Sequence, residues 1–545
     1  MNRASIIAET IRKFDGIELK GELSETEVKS LVAEIGVEVD DTKHLFKMEI
    51  YGSYPFQFHD HETIRFVNKE FLDFDHVNSD GSICIHTNNY PDSLEEKLVL
   101  DLNGLISWVK RYVIDKGKDD HYEHIIVPYS SHDDKIRHFL FTDVAGKFEK
   151  GQHGLCGYKL LANSEVGDSV GETYILREFG PPASAKCDWS EFYNNSDDNI
   201  GFFIFSDPPV SQNNARFAAG KWVELKQIIP PNFFQQMWLE FKGNKKIRNS
   251  RFIPVFFGYS ITENKVHWQA ATFPKGDPPY YTVKDKKGNW SGEVRDLEIK
   301  WSETFDCSYD VFFGRGKLTE HLVSKRIMLI GCGAVGSVIS ESLVRGGARH
   351  VALVDYDIKE PGNISRSNYK FINGVTDKTH ELGLHLMTIS PFVEVTYSKR
   401  LTDNIKLFKF GDPKSREILI ELLSEYDFII DCSTDNDLLF ILDDLKPSSQ
   451  VLSIGITNHA KELVFTTGDN LYRKTGQIFG QLRQDMDDLF NPTGCWSPTF
   501  KARHTDISLL VNAALNEVDY RLSSNHALRN FYVSREANNI EICHY

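Results

Sequence analysis

The residues best suited to chemistry lie between positions 326 and 436. A short apolar run, Arg326-Ile-Met-Leu-Ile330, meets Gly331-Cys-Gly-Ala-Val-Gly336, and helical periodicity follows through Val338, Ile339 and Leu343. Strand, glycine turn and helix in that order make a phosphate cradle. Gly331 and Gly333 let the backbone turn and approach an anion, Gly336 lets helix and strand pack closely, and the helix N-terminus favours negative charge. A second strand, His350-Val-Ala-Leu-Val354, ends at Asp355, 19 residues past the last glycine, where a carboxylate can accept ribose hydroxyls. Alone, this fingerprint reads equally as a dehydrogenase or as another nucleotide enzyme. The charges that follow favour adenylation: Asp357, Asn363, Arg366 and Lys378, then a strand Tyr426–Asp431 that delivers Asp435-Asn436. Arg366 and Lys378 can neutralise a triphosphate and its pentavalent transition state, and Asp435 can hold a magnesium ion that bridges its oxygens. The plainer readings are solvated surface charges for Arg366 and Lys378, a turn cap for Asp357, and packing thiols for Cys332 and Cys432.

These motifs in this order resemble the adenylation core of ThiF, MoeB and eukaryotic ubiquitin-activating enzymes. The residues that carry the resemblance are the glycine run, Asp355-Tyr-Asp357, Asn363-Ile-Ser-Arg366, Lys378 thirteen residues before Pro391, and Asp431-Cys-Ser-Thr-Asp-Asn436. The resemblance implies ATP held by Gly331, Gly333, Gly336, Asp355, Asp357, Asn363, Arg366, Lys378 and Asp435. Asp355 would bind the ribose, Asn363, Arg366 and Lys378 the phosphates, and Asp435 magnesium. It also implies a homodimer, with a basic residue such as Arg315 reaching the partner's site. Between Asp431 and Asp435 the chain carries one residue more than relatives often have.

Two thiols are candidates for acyl transfer, Cys495 and Cys84, and a structural cysteine is the plainer reading of Cys495. Pro492-Thr-Gly-Cys495-Trp-Ser-Pro498 is a loop, followed by Thr505-Asp506 as a helix cap and a buried stripe at Ile507, Leu510, Val511, Ala514 and Val518. A cysteine just ahead of a helix N-terminus is favoured as thiolate, and the position matches the acceptor thiol of fused bacterial relatives. Near the N-terminus, Asp80-Gly-Ser-Ile-Cys84 follows two expected helices, within Ser5–Phe14 and through Val28, Leu31, Val32 and Ile35. Strand-like runs at 45–50, 64–67 and 76–86 lead to this thiol, and a helix with Leu98, Leu102, Leu105, Trp108 and Tyr112 comes after it. That layout resembles ubiquitin-conjugating enzymes. Where that family carries His-Pro-Asn, this chain reads Phe74-Asp75-His76, so the oxyanion-supporting asparagine is missing and His76 is the candidate donor. A buried strand cysteine is the alternative for Cys84, and His86 reads as solvated.

Both ends together resemble the all-in-one conjugation enzymes of bacterial antiphage operons, especially those of CBASS systems. The resemblance implies activation of the C-terminus of a cGAS-like nucleotidyltransferase by adenylation. The acyl group would then pass from Cys495 to Cys84 and on to amines of acceptor proteins. The alternative is an activating enzyme for a ubiquitin-like or sulfur-carrier protein.

The expected architecture is multidomain α/β and α+β. A ubiquitin-conjugating-like α+β domain would span 1–124, an α+β linker domain 125–304, and a Rossmann-like ThiF/MoeB adenylation domain 305–545. The 545 residues exceed what one core supports. A formal net charge of -16 argues against nucleic-acid or membrane binding. No long apolar run or signal-peptide core is visible, and the eight cysteines form no Cys-x-x-Cys pair; a cytoplasmic protein with reduced thiols is expected.

Overall fold

The computed structural model describes residues 3–26, 29–56, 62–78, 80–85, 92–117, 127–133, 135–166, 169–181, 183–194, 199–207, 209–211, 217–262, 265–284, 286, 288, 290–408, 413–482, 488–490, 499–536 and 539–545. The chain divides into two compact units, Met1–Lys186 with Asp198–Phe305, and Cys187–Asp197 with Asp306–Tyr545.

The first unit begins with α1 (Arg3–Lys13) and an antiparallel meander of β1 (Ile17–Glu25), β2 (Leu31–Val39), β3 (Thr42–Ile50) and β4 (Ile64–Val67). Leu31, Val32 and Ile35, expected in a helix with Val28, lie on β2 instead, and Val28 lies outside the described residues. Leu31, Ala33, Ile35, Val37 and Val39 are buried with Glu34 and Glu38 exposed between them, and this period of two outweighs the helical spacing of three of those residues. Helix α2 (Leu94–Trp108) starts at Ser93, whose hydroxyl accepts the Glu96 N–H at 3.2 Å. It continues as a wider turn to Ile114 and packs Leu98, Leu102, Leu105, Trp108, Val109 and Tyr112 into the core that the meander also lines.

The same unit holds a second β system made of β5 (Lys135–Phe141), β6 (His153–Val166), β7 (Ser169–Phe179), β8 (Ala185–Lys186), β9 (Asn199–Phe205), β10 (Phe252–Thr262), β11 (Lys265–Pro274) and, beyond the hairpin β12 (Tyr280–Lys284) and β13 (Trp290–Val294), β14 (Lys300–Asp306). The order β5-β14-β11-β10-β9-β6-β7 closes on itself, because β5 pairs with β7 as well as β14. Closure removes the exposed edges of seven strands. Aromatic rings fill this part of the unit: Phe139 stacks on Tyr174 at 5.4 Å and Phe179 on Trp268 at 4.6 Å. Helices α3 (Pro231–Gly243) and α4 (Lys245–Asn249) bury Phe233, Met237 and Ile247 in a core shared with Ile253, Val255 and Phe257 of β10.

The second unit is a doubly wound sheet. Its strands are β15 (Arg326–Ile330), β16 (His350–Val354), β17 (Glu394–Ser398), β18 (Phe428–Asp431), β19 (Gln450–Ile456), β20 (Glu462–Thr467), β21 (Phe531–Glu536) and β22 (Asn539–His544), ordered β17-β16-β15-β18-β19-β20-β21-β22. The first five in that order are parallel, and the last three add antiparallel. Strand order reverses between β15 and β18, and the crevice at that switch point is where such sheets bind ligands. Five helices matter to it: α5 (Ala334–Arg345), α6 (Lys378–Ile389), α7 (Leu401–Phe408), α8 (Asn436–Leu445) and α9 (His504–Ser523). The apolar stripe expected on α9 is buried. The helix starts two residues before Asp506, whose carboxylate pairs with Arg503 and Arg535 instead of acting as the cap. Among the described residues no helix is long and apolar enough to cross a membrane.

Candidate active site

Gly331 leaves β15 with φ +90°, and a Cβ there would stand 2.7 Å from the Cys432 carbonyl carbon and the Ser433 nitrogen. Only glycine lets the two strand ends approach so closely. A Cβ on Gly336 would fall 1.9 Å from the Gly331 carbonyl oxygen, so this glycine brings helix and turn together. Gly333 differs: a Cβ there would meet no atom within 4 Å, which leaves open space at the N-terminus of α5. Gly331 and Gly336 thus serve close packing, while Gly333, read with Gly331 as approaching a phosphate, is the one that leaves open space.

A cleft of about 340 Å³ opens from this turn, lined by Gly331, Gly333, Asp355, Asp357, Arg366, Lys378 and Asp435. Seven of the sequence-selected residues are therefore gathered in one place. Gly336 and Asn363 are not among the lining residues, and the Asn363 carboxamide oxygen accepts the Glu360 N–H at 2.9 Å. Asp355 accepts the Cys332 N–H at 2.7 Å and the Asp357 N–H at 2.9 Å. Burial lifts its carboxyl above the usual range, against the pull of those N–H groups and of Lys378. Asp357 both caps its own turn, accepting the Ile358 N–H at 3.0 Å, and pairs with the Lys378 ammonium.

Arg366 donates to the Thr499 hydroxyl at 2.6 Å and to the Phe500 carbonyl at 2.8 Å, and its guanidinium lies 5.0 Å from the centre of the Phe500 ring. Burial lowers its pKa from the ordinary guanidinium value. Asp435 caps α8, its Oδ1 accepting the Asp437 and Leu438 N–H groups at 3.1 Å, while Oδ2 faces Lys406. Burial raises the Asp435 pKa, but Lys406 and the capping N–H groups outweigh it and hold the carboxylate below its usual range. Cys332 and Cys432 are pushed well above the ordinary thiol value by burial, which suits packing thiols. Sequence reasoning missed Thr402, Lys406, Thr499 and Phe500, which belong to no glycine turn or strand-end motif.

Cys495 lies outside the described residues, as does His86. The flanks of the Cys495 segment are described: Phe490 and Thr499 exchange backbone hydrogen bonds at 2.8 and 3.0 Å, and Thr499 and Phe500 line the cleft. In the first unit Cys84 is half-buried, and its N–H donates to the His76 carbonyl at 2.8 Å. His76 has φ +59° and leans on Tyr112, with ring centres 5.3 Å apart, while the Trp108 indole donates to the Asp75 carbonyl at 3.1 Å. Over the described residues of 76–86 the expected strand is replaced by two isolated bridges, Val77 with Ile83 and Ser82 with Val67, and the Gly81 N–H donates to the Asn78 carbonyl at 2.9 Å.

The ThiF family matches residues 309–445, the stretch that builds most of the cleft. That segment is similar to the ThiF family. The chain is similar to the ATP-dependent ubiquitin transferase-like protein Cap2 of Enterobacter hormaechei subsp. hoffmannii, 27% identical over 45% of this chain and 42% of that protein. A shorter likeness, 24% identical over 22% of this chain and 23% of the relative, is to adenylyltransferase and sulfurtransferase MOCS3 of Danio rerio. The chain spans less than half the length of these curated relatives in either alignment. Among solved structures, E. coli MccB with ATP matches at a TM-score of 0.29 and 15% identity, covering 42% of this chain and 64% of that one.

Proposed function

We propose that this protein activates a protein C-terminus with ATP and passes it along two thiols to an amine. The observation that carries this reading is the convergence of the glycine turn, Asp355, Arg366, Lys378 and Asp435 on one cleft at the sheet's switch point. The C-terminal carboxylate attacks the α-phosphorus, the bond to the β-phosphate oxygen breaks, and pyrophosphate leaves an acyl-adenylate. Gly333 and the first turn of α5 hold phosphate oxygens, Asp355 accepts the ribose hydroxyls, and Arg366 and Lys378 neutralise the charge that builds on phosphorus. Asp435 suits magnesium, a hard cation commonly held by one or two carboxylates together with waters and phosphates; among the described residues no group of three or more His, Cys, Asp or Glu forms a cage for another metal. When bound, magnesium supplies Lewis-acid neutralisation of the phosphate oxygens.

The Cys495 thiolate then attacks the acyl carbon and AMP leaves, giving a thioester. Cys495 is four positions from Thr499, which lines the cleft, so chain length alone keeps their Cα atoms within about 14 Å. Exchange moves the acyl group to Cys84, and attack by an amine of an acceptor protein releases that thiol. Support for a conjugating role of Cys84 comes from the order of helix, four-stranded meander, thiol and tryptophan-bearing helix. Resemblance to CBASS conjugation enzymes makes a cGAS-like nucleotidyltransferase the substrate of first choice. It also favours a cytoplasmic homodimer with Arg315, exposed here, reaching the partner's site. In this reading the chain divides into a conjugating-like domain at 1–124, a linker domain at 125–304 and the adenylation domain at 305–545.

The test is mass spectrometry under non-reducing conditions after incubation with ATP, magnesium and the nucleotidyltransferase. Wild type should carry thioester adducts on Cys495 and Cys84. Cys495→Ala should lose both, Cys84→Ala only its own, and Arg366→Ala both by blocking adenylation. Adenylation without any adduct on Cys84 would leave an activating enzyme for a ubiquitin-like or sulfur-carrier protein.

A further inference from the structure

Helix α7 reaches the cleft with a face that no sequence motif marks. Leu401 and Ile405 are buried in a core with Met328, Ile330, Ala352 and Val354 of the parallel sheet, which pins the helix beside the strand ends. The neighbouring face then carries Thr402 and, one turn on, Lys406. Thr402 is 6% exposed and lines the cleft, and its buried hydroxyl has no partner among the described residues. Lys406 holds Asp435, and Asp437 and Tyr356 are the other groups close enough to act on its charge. Tyr356 follows Asp355 at the end of β16, and Asp435 follows β18. Asp435 and Tyr356 both line the cleft, so the ammonium, which is not itself part of the lining, is held at its edge by the Asp435 carboxylate.

Both oxygens of Asp435 are engaged, Oδ1 by the two capping N–H groups and Oδ2 by Lys406. Loss of the cap would cost helix stability, whereas the lysine is on a flexible stem and its ion pair is partly exposed, at 38% for Lys406 and 28% for Asp435. A divalent cation arriving at Asp435 therefore displaces Lys406, not the cap. Freed beside a bound triphosphate, the ammonium finds its new acceptor in the phosphate oxygens.

We infer that Lys406 is a further phosphate-binding residue of the site, exchanged from Asp435 to the polyphosphate when a divalent cation takes the carboxylate. This deepens the adenylation reading and rests on Asp435 as the cation ligand. It makes cation and nucleotide binding cooperative: without nucleotide Lys406 competes with the metal, and with nucleotide it holds the complex.

The experiment measures Mn²⁺ binding by electron paramagnetic resonance on the full chain, alone and with the non-hydrolysable analogue AMPCPP. Nucleotide affinity is read in parallel by calorimetry. Lys406→Met should bind Mn²⁺ alone about tenfold more tightly than wild type and bind Mn²⁺–AMPCPP about tenfold more weakly. Lys406→Arg, which keeps the charge, should stay close to wild type, and Lys406→Gln repeats the test if the methionine variant misfolds. Loss of Mn²⁺ binding in Asp435→Asn with unchanged affinities in Lys406→Met and Lys406→Gln overturns the role of Lys406 while leaving the adenylation site standing. Unchanged Mn²⁺ binding in Asp435→Asn removes the cation reading of Asp435 and this inference with it.

Discussion

Asp431 ends β18 inside the sheet at 3% exposure, and burial raises its carboxyl pKa to about 6 against two hydrogen bonds from Ser433. In an unfolded chain the same group titrates near its ordinary value, about 4. Between those values the folded protein holds a proton that the unfolded chain does not, so the stability due to Asp431 is present at low pH and is lost as pH rises through about 6. Asn can keep the acceptor for Ser433 without the charge. Asp431→Asn should therefore melt higher than wild type at pH 8, and thermal unfolding across the range should show the gap closing toward pH 5. A gap independent of pH would mean that Asp431 does not titrate there. Its chemistry was half legible: Asp431 is the first residue of a motif, but only its depth in the sheet makes it a buried acid next to the carboxylate proposed to hold magnesium.

The turn from β15 into α5 puts glycines to two different uses, and substitution separates them. Gly336→Ala drives a Cβ to 1.9 Å from the Gly331 carbonyl oxygen, a backbone clash that costs about 3 kcal/mol or more. It should lower the melting temperature and nucleotide affinity together. Gly333→Ala meets nothing within 4 Å, so the fold should melt as wild type, while on the proposed reading calorimetry shows nucleotide affinity reduced at least tenfold, because the methyl takes up the space proposed for phosphate. Equal losses of stability at both positions would contradict this division. The elements themselves were legible where local pattern and tertiary context agree, as in β15, β16 and the stripe on α9. They were misread at Leu31, Val32 and Ile35, which with Val28 fit a helical spacing, whereas Leu31, Ala33, Ile35, Val37 and Val39 fit a strand, and pairing with β1 and β3 decided the matter.

The second unit is completed by a piece of chain from the middle of the first. Residues 187–194 form an arm in which Trp189 stacks on Phe392 at 5.9 Å, Ser190 donates to the Pro391 carbonyl at 2.8 Å and the Tyr193 hydroxyl donates to the Met387 carbonyl at 2.8 Å. Trp189 is 6% exposed, so Trp189→Ala should destabilise the second unit by about 3 kcal/mol, with calorimetry reporting a lower transition for that unit. An unchanged transition would show the arm to be a passive contact. Nothing in the arm's own sequence marks it, because its partners lie about 200 positions away.

What the sequence determined by itself is the chemistry that sits next to backbone features. A glycine turn, a carboxylate at a strand end and cations at set distances from them are local patterns, and the parallel sheet that assembles them follows from alternating strands and helices. The tertiary structure alone decided which charges meet. Lys406 reaches Asp435 from a different helix, Arg366 grips Thr499 and Phe500 across 133 and 134 positions, and the closure of the seven-stranded ring depends on β5 finding β7. Such contacts leave no spacing in the chain to read, since they are set by how whole elements pack and not by the order of residues along any one of them.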